Sequence, residues 1–463
     1  MAHSRQFRGP ELSLLSLLIY LFCSLFAFAF PHDTVATSAS SLEQKAAEAF
    51  NRADYGTVIT LLQSQPPGAA SKPLLRLAVQ SAIKLGRPEE ALDVYDRLVQ
   101  SGQSDDLSLL RQLSVSFLSA YVRDQKEYIR ISAYSALAEL SLPDQQPILE
   151  DGLLDPSPLV RARAVEGLSR AGVAAKSGPL RRALTDDMSP VRIAAMNALS
   201  EARVTDIMPR LTEVARTEDG PEAVFAYAGL YRLGKQDMLA DITGAATLPD
   251  PETRMAALGV LGKLKRASSL TVLSQGVYDP EAPVRAFAAG ALGEFGQPGG
   301  IAPLTHALGD ENARVRAMAA VSLGRIGVKD VRPLLHSVTH DASMQVRASA
   351  VEGLLRLGDT SAVLIATDLA RHPDPSVRAA IAQALGAASD KQALSILQTL
   401  LQDQQPQPRL FAAQALGKVR MPALPPLKKG LHDSDPAIRI TAAGSVLQQL
   451  NHLKKSSPRG RKG

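Results

Sequence analysis

The chain runs to 463 residues, longer than a single compact core usually grows, so it needs either several domains or an elongated array. Its formal charge of +5 is concentrated at the ends. Setting aside the five basic residues of 453–463 and Arg5, Arg8 and Glu11 leaves 44 basic and 45 acidic groups, a near-neutral body without the electrostatic footprint of a duplex nucleic-acid binder.

Residues 1–11 carry Arg5 and Arg8, and 12–30, LSLLSLLIYLFCSLFAFAF, are uncharged and almost wholly apolar. This is a targeting segment outside the fold. The Ala27-Phe28-Ala29 triplet favours a cleavable signal peptide, whereas the length of the apolar run also suits an uncleaved membrane tether. Both readings keep the N-terminus cytoplasmic and send the rest across, so the expected location is the periplasm or cell envelope of a bacterium. Cys23 is the only cysteine. The body downstream therefore has no disulfide framework, thiol nucleophile or thiolate metal site.

Residues 31–41, PHDTVATSASS, are short and polar and are expected to form a flexible spacer. From 42 to 120 the pattern is helical, and the turn LGRPEEAL lets Gly86 close one helix while Pro88 opens the next. Ala49-Phe50, Asp54-Tyr55-Gly56 and the run Leu85 to Leu92 resemble tetratricopeptide repeats. The alternative for this region is an atypical cap on the array that follows.

Over 121–452 one pattern returns. DPEAPVRAFAAGALGEFG at 279–296 is followed by DENARVRAMAAVSLGRIG at 310–327 and DASMQVRASAVEGLLRLG at 341–358. The arginines form the series Arg130, Arg161, Arg192, Arg254, Arg285, Arg316, Arg347, Arg378, Arg409 and Arg439, at a spacing of about 31 residues, with Ala223 in the one empty slot. About eleven helical hairpins follow, each too small to bury its own apolar face and so stacked on its neighbours. In the 285 unit Val284, Ala288, Ala291, Leu292 and Phe295 make one apolar stripe at helical spacing. Two helices of about 10 to 13 residues fill each unit. The expected fold is an all-α, right-handed α-solenoid, extended to roughly 100 Å at about 9 to 10 Å per layer. Residues 453–463, LKKSSPRGRKG, are expected to form a basic, disordered tail.

The aspartates six residues before the arginines stand where a second helix opens, as N-caps worth about 1 kcal/mol. Asp250, Asp374 and Asp435 stand four before. Gly172, Gly234, Gly296, Gly327 and Gly358 lie where the second helices stop.

The Asp-x5-Arg spacing, the upstream prolines Pro333 and Pro425 and the alanine-rich stripe resemble the HEAT repeat, in the short form of phycobilisome-lyase-like proteins. That resemblance implies a ladder of hydrogen bonds between adjacent repeats through Asp155, Arg161, Asp186, Arg192, Asp279, Arg285, Asp310 and Arg316. It continues through Asp341, Arg347, Arg378, Asp403, Arg409, Asp433 and Arg439. The competing reading of the arginine column is an anion-binding track.

No catalytic, cofactor or metal site is expected. Successive histidines would fall on layers about 10 Å apart, and the His-Glu dipeptides of deoxyhypusine-hydroxylase-like HEAT proteins are absent. There is no G-x-x-x-x-G-K-[ST] loop and no G-x-S-x-G elbow. With no Trp and a neutral body, base-flipping chemistry lacks its pocket walls. The reading is a monomeric, non-catalytic scaffold that binds an extended protein segment or helix, and no nucleic acid, along a groove of second helices. The groove positions are Ala286, Gly290 and Glu294, then Ala317, Val321 and Arg325, then Ala348, Glu352 and Arg356, of which Glu294, Arg325, Glu352 and Arg356 are the candidate binding residues. The alternative is an enzyme or enzyme accessory of the HEAT-like lyase or iron-hydroxylase type.

Overall fold

The computed structural model describes residues 33–100 and 104–456, and the expected targeting segment 1–30 and residues 457–463 lie outside them. Among the described residues there are 26 helices and no strand. The chain divides into two units, one ending at Ser81 and one beginning at Ala82.

In the first unit, helix α1 (Asp33–Asn51) already occupies most of the expected spacer. Adding turns to a helix nucleated in the alanine-rich 42–51 stretch costs less than starting one, so the Ser/Thr-rich residues before it are taken up. Asp54 then caps α2 (Tyr55–Gln63) by accepting the Thr57 N–H at 3.2 Å. Phe50 meets Tyr55 edge-on at 5.3 Å. Helix α3 (Lys72–Lys84) carries the boundary, so the second unit takes in residues assigned from sequence to a separate 42–120 region.

The second unit opens with α4 (Pro88–Gln100) and α5 (Leu107–Tyr121). Its second helices are α6 (Glu127–Leu140), α8 (Pro158–Arg170), α10 (Ser189–Glu201), α12 (Gly220–Arg232), α14 (Pro251–Leu264) and α16 (Ala282–Phe295). They continue as α18 (Ala313–Ile326), α20 (Met344–Arg356), α22 (Pro375–Leu385), α24 (Pro406–Lys418) and α26 (Pro436–Ser456). Most of the first helices between them are shorter than the 10 to 13 residues expected, down to the five of α9 (Gly178–Arg182), whereas Met208–Thr217 and Lys391–Leu400 reach ten. Three-residue 3₁₀ turns, such as Ala174–Lys176 and Ala183–Thr185, make up the difference. The apolar stripe is buried as its spacing requires: Val284, Ala288, Ala291, Leu292 and Phe295 are all at most 5% exposed. Gly172, Gly234, Gly296, Gly327 and Gly358 each have positive φ, from 71° to 114°, and end their helices in the left-handed conformation.

Second helices pack flank to flank throughout, and α26 packs on α5 and α6, so the array in this unit closes on itself. The first helices pack mainly on second helices and are spread from one another, which places them on the convex side. Eleven layers spaced about 9 to 10 Å then make a circumference of about 100 Å instead of an open length of that size. The seam is polar at its edges. Lys428 pairs with Asp105 at 2.6 Å, His432 with Asp96 at 2.7 Å, and Arg111 donates to Asn451.

Candidate binding face of the second helices

The ladder explains why so many charges carry no site. Arg316 donates from Nε and Nη2 to both oxygens of Asp341 at 2.8 and 2.9 Å, while its Nη1 donates to the carbonyls of Asp310 and Glu311 in its own turn. Asp341 in turn accepts the Ser343 N–H at 2.8 Å. The same bidentate pairs join Arg130 to Asp155, Arg161 to Asp186, Arg254 to Asp279, Arg285 to Asp310, Arg378 to Asp403 and Arg409 to Asp433. These side chains are 9 to 17% exposed, too enclosed for an anion track. The arginines hold Asp341 and Asp403 below the usual carboxylate range, against the opposing effect of burial. The aspartates do not serve as helix N-caps. They fix the turn two residues on, whereas the N-cap acceptors are Ser157 for the Val160 N–H, Asp250 for the Thr253 N–H and Asp374 for the Ser376 N–H.

The ladder fails where the sequence breaks its register. Glu222 replaces an aspartate as partner of Arg192, through two contacts of 2.6 Å. In the layer with Ala223 the facing slot holds Leu248, which is 48% exposed, so both members of the pair are missing together. For Arg347 the partner slot holds His372 in place of a carboxylate, and the Arg347 Nε donates to the carbonyl of Asp341 at 2.5 Å. Arg439, at the seam, donates to Tyr121 and stands 3.4 Å from Glu89.

On the free face of α18, α20 and α22 lies an open cleft of about 510 Å³. Arg325 and Glu352, both named from sequence, line it. Glu294 and Arg356 do not. Glu294 stands 3.9 Å from Lys265, and Arg356 holds Glu352 at 2.8 Å one helical turn away. The expected groove positions Ala286, Ala317 and Ala348 are all little exposed, at 4, 7 and 2%; Ala317 and Ala348 line the floor of the cleft, whereas Ala286 does not. The free face runs through the next residue and through the first turn, which places Phe287, 45% exposed, and Met318 and Arg314 on it. The tilt of side chains toward the helix N-terminus carries the signal that the stripe count missed.

The last turns of the second helices form a charged row. Its cations are Arg170, Arg232, Lys263, Arg325, Arg356 and Lys418, and its carboxylates are Glu139, Glu201 and Glu294. Glu201 lies 4.0 Å from Arg232, and Glu139 accepts from Gln414 and Gln448. Burial pulls the Arg232 guanidinium below the ordinary arginine range.

Among the described residues no three His, Cys, Asp or Glu side chains are placed to share a metal ion, and no helix is long and apolar enough to cross a membrane.

The model of HEAT repeats matches residues 270–354, 331–409 and 396–452. Among curated proteins the sequence finds no match. The complex of CpcE and CpcF of phycocyanin lyase from Nostoc sp. PCC7120 is 22% identical over 45% of this chain and 94% of that one, with a TM-score of 0.35. Human deoxyhypusine hydroxylase is 18% identical over 54% of this chain and 98% of that one, at 0.26. A mutant of Kap121p is 14% identical over 95% of this chain, at 0.36, and the chain spans only 54% of its length.

Proposed function

We propose that this chain, a member of the HEAT-repeat superfamily, is a non-catalytic interaction scaffold that holds a segment of another protein against the free face of its second helices. The observation that carries this reading is the cleft on α18, α20 and α22, an open surface floored by Ala313, Ala317, Val321 and Ala380 with polar groups at its edges. Small side chains let a partner backbone come close, and an open, shallow surface suits a chain held by many modest contacts better than a small molecule in an enclosed pocket.

The apolar segment 12–30, preceded by Arg5 and Arg8, supports action outside the cytoplasm, in a bacterial envelope. An alkaline phosphatase fusion at residue 42 that is active only with residues 1–30 present is the expected result, and activity without them overturns the location. A photo-crosslinking amino acid at Phe287 or Met318 in the native host tests the scaffold reading. Covalent adducts to another protein are expected, and their absence from both positions rejects it.

A further inference from the structure

We infer that the segment held on the α18–α22 face is acidic. The inference rests on the scaffold reading and specifies its partner. Arg314 and Arg325 stand at the two ends of the cleft on one helix, eleven residues and thus about 16 Å apart. Between them the floor is apolar, through Ala317, Met318 and Val321. Neither guanidinium has an ion-pair partner among the described residues, unlike the repeat arginine Arg316 between them, which is held by Asp341. Glu352, the one carboxylate lining the cleft, is already held by Arg356 at 2.8 Å.

The charged row points the same way. Each of its carboxylates has a partner close by, whereas Arg170, Lys263 and Lys418, like Arg325, have no ion pair among the described residues. The unspent charge of this face is therefore positive, although the body as a whole is near neutral. A partner with carboxylates about 16 Å apart and small apolar side chains between them satisfies both guanidiniums at once, in roughly five extended residues or eleven helical ones. A nucleic acid fits less well: the cleft has no aromatic platform for a base, and only two free cations over that distance to meet phosphates.

The test uses the full chain and three fluorescein-labelled 16-residue peptides, four repeats each of Glu-Ala-Ala-Leu, Gln-Ala-Ala-Leu or Lys-Ala-Ala-Leu, with a labelled oligo-dT of equal length as a fourth probe. Fluorescence anisotropy is expected to show the Glu peptide binding at least tenfold more tightly than the others, and weakening as salt rises. Arg314→Gln with Arg325→Gln should reduce that binding at least tenfold while circular dichroism stays unchanged. Arg123→Gln with Arg87→Gln, two exposed arginines away from the cleft, should leave it unchanged. Equal binding of the three peptides, tighter binding of oligo-dT, or indifference to the cleft substitutions overturns the inference. Mass spectrometry of the Met318 crosslink separates it from the scaffold reading: an adduct in a neutral or basic segment rejects the charge assignment and leaves the scaffold standing, whereas no adduct at either Met318 or Phe287 rejects both.

Discussion

Ala136 and Gly444 belong to the first and last second helices of the array, and they touch: a Cβ on Gly444 would stand 3.2 Å from that of Ala136. This contact closes the second unit, and it joins segments that share no short connection in the chain. Disulfides need Cβ atoms about 3.5 to 4.5 Å apart, so a small local shift admits one here. Ala136→Cys with Gly444→Cys should oxidise to an intramolecular disulfide, read as loss of free thiol and faster migration on non-reducing gels. Because the closed loop spans nearly the whole unit, the gain in stability should approach the upper end of the range for disulfides, about 4 kcal/mol. No disulfide under oxidising conditions would mean that the ends are apart in solution.

The gap beside Arg347 is a missing half of the ladder. His372 stands where other layers have aspartate, and its Nδ1 accepts the Asp374 N–H at 3.1 Å as an aspartate Oδ1 does elsewhere. The turn is thus already shaped for a carboxylate. His372→Asp should give Arg347 a bidentate partner and raise the urea midpoint by about 1 kcal/mol equivalent. By the same logic Arg316→Met, which strands Asp341, should cost about 3 kcal/mol, and Arg347→Met markedly less. Equal losses from the two would show that the column contributes through packing and not through its pairs.

Much of this was legible because repetition multiplies a weak signal. The 31-residue spacing, the buried stripe of Val284 to Phe295 and the stop glycines such as Gly296 and Gly327 are local features, and the structure has each of them where the sequence places it. Closure was not legible, since it depends on small curvature accumulated over eleven layers and on contacts such as Lys428 to Asp105, which no local pattern ties together. The face was half legible. Arg325, Glu352, Ala317 and Ala348 all line the cleft, but the two alanines are nearly buried and leave the exposed surface to neighbours such as Arg314. Glu294 and Arg356 are near the face and occupied with neighbours of their own.

The ladder also sets an acid limit. Arg316 and Arg378 hold the carboxyls of Asp341 and Asp403 below their ordinary value, with help from the Ser343 and Gln405 N–H groups. A carboxyl whose pKa is lower in the folded state stabilises above its unfolded value near 4, and that contribution is lost as pH falls through the folded value. The urea midpoint should therefore drop steeply below about pH 4. In Asp403→Asn the drop should be shallower and the midpoint at neutral pH lower. An unchanged slope between pH 4 and 2 would remove the ladder from the account of acid stability.

Close approach of second helices rests on glycine at particular turns. A Cβ on Gly324 would stand 2.5 Å from the Cα of Gly353, a backbone atom that cannot swing aside. At Gly290 the nearest atom is the Met318 sulfur at 3.3 Å, the end of a flexible side chain. Alanine is favoured over glycine inside a helix by about 1 kcal/mol at both places, so only packing can separate them. Gly324→Ala should therefore destabilise by about 1 to 3 kcal/mol net, as the two helices are forced apart. Gly290→Ala should be neutral or stabilising. Urea denaturation with an unchanged slope for both variants gives the comparison directly, and equal midpoints would show that α18 and α20 are less tightly apposed than the backbone contact requires.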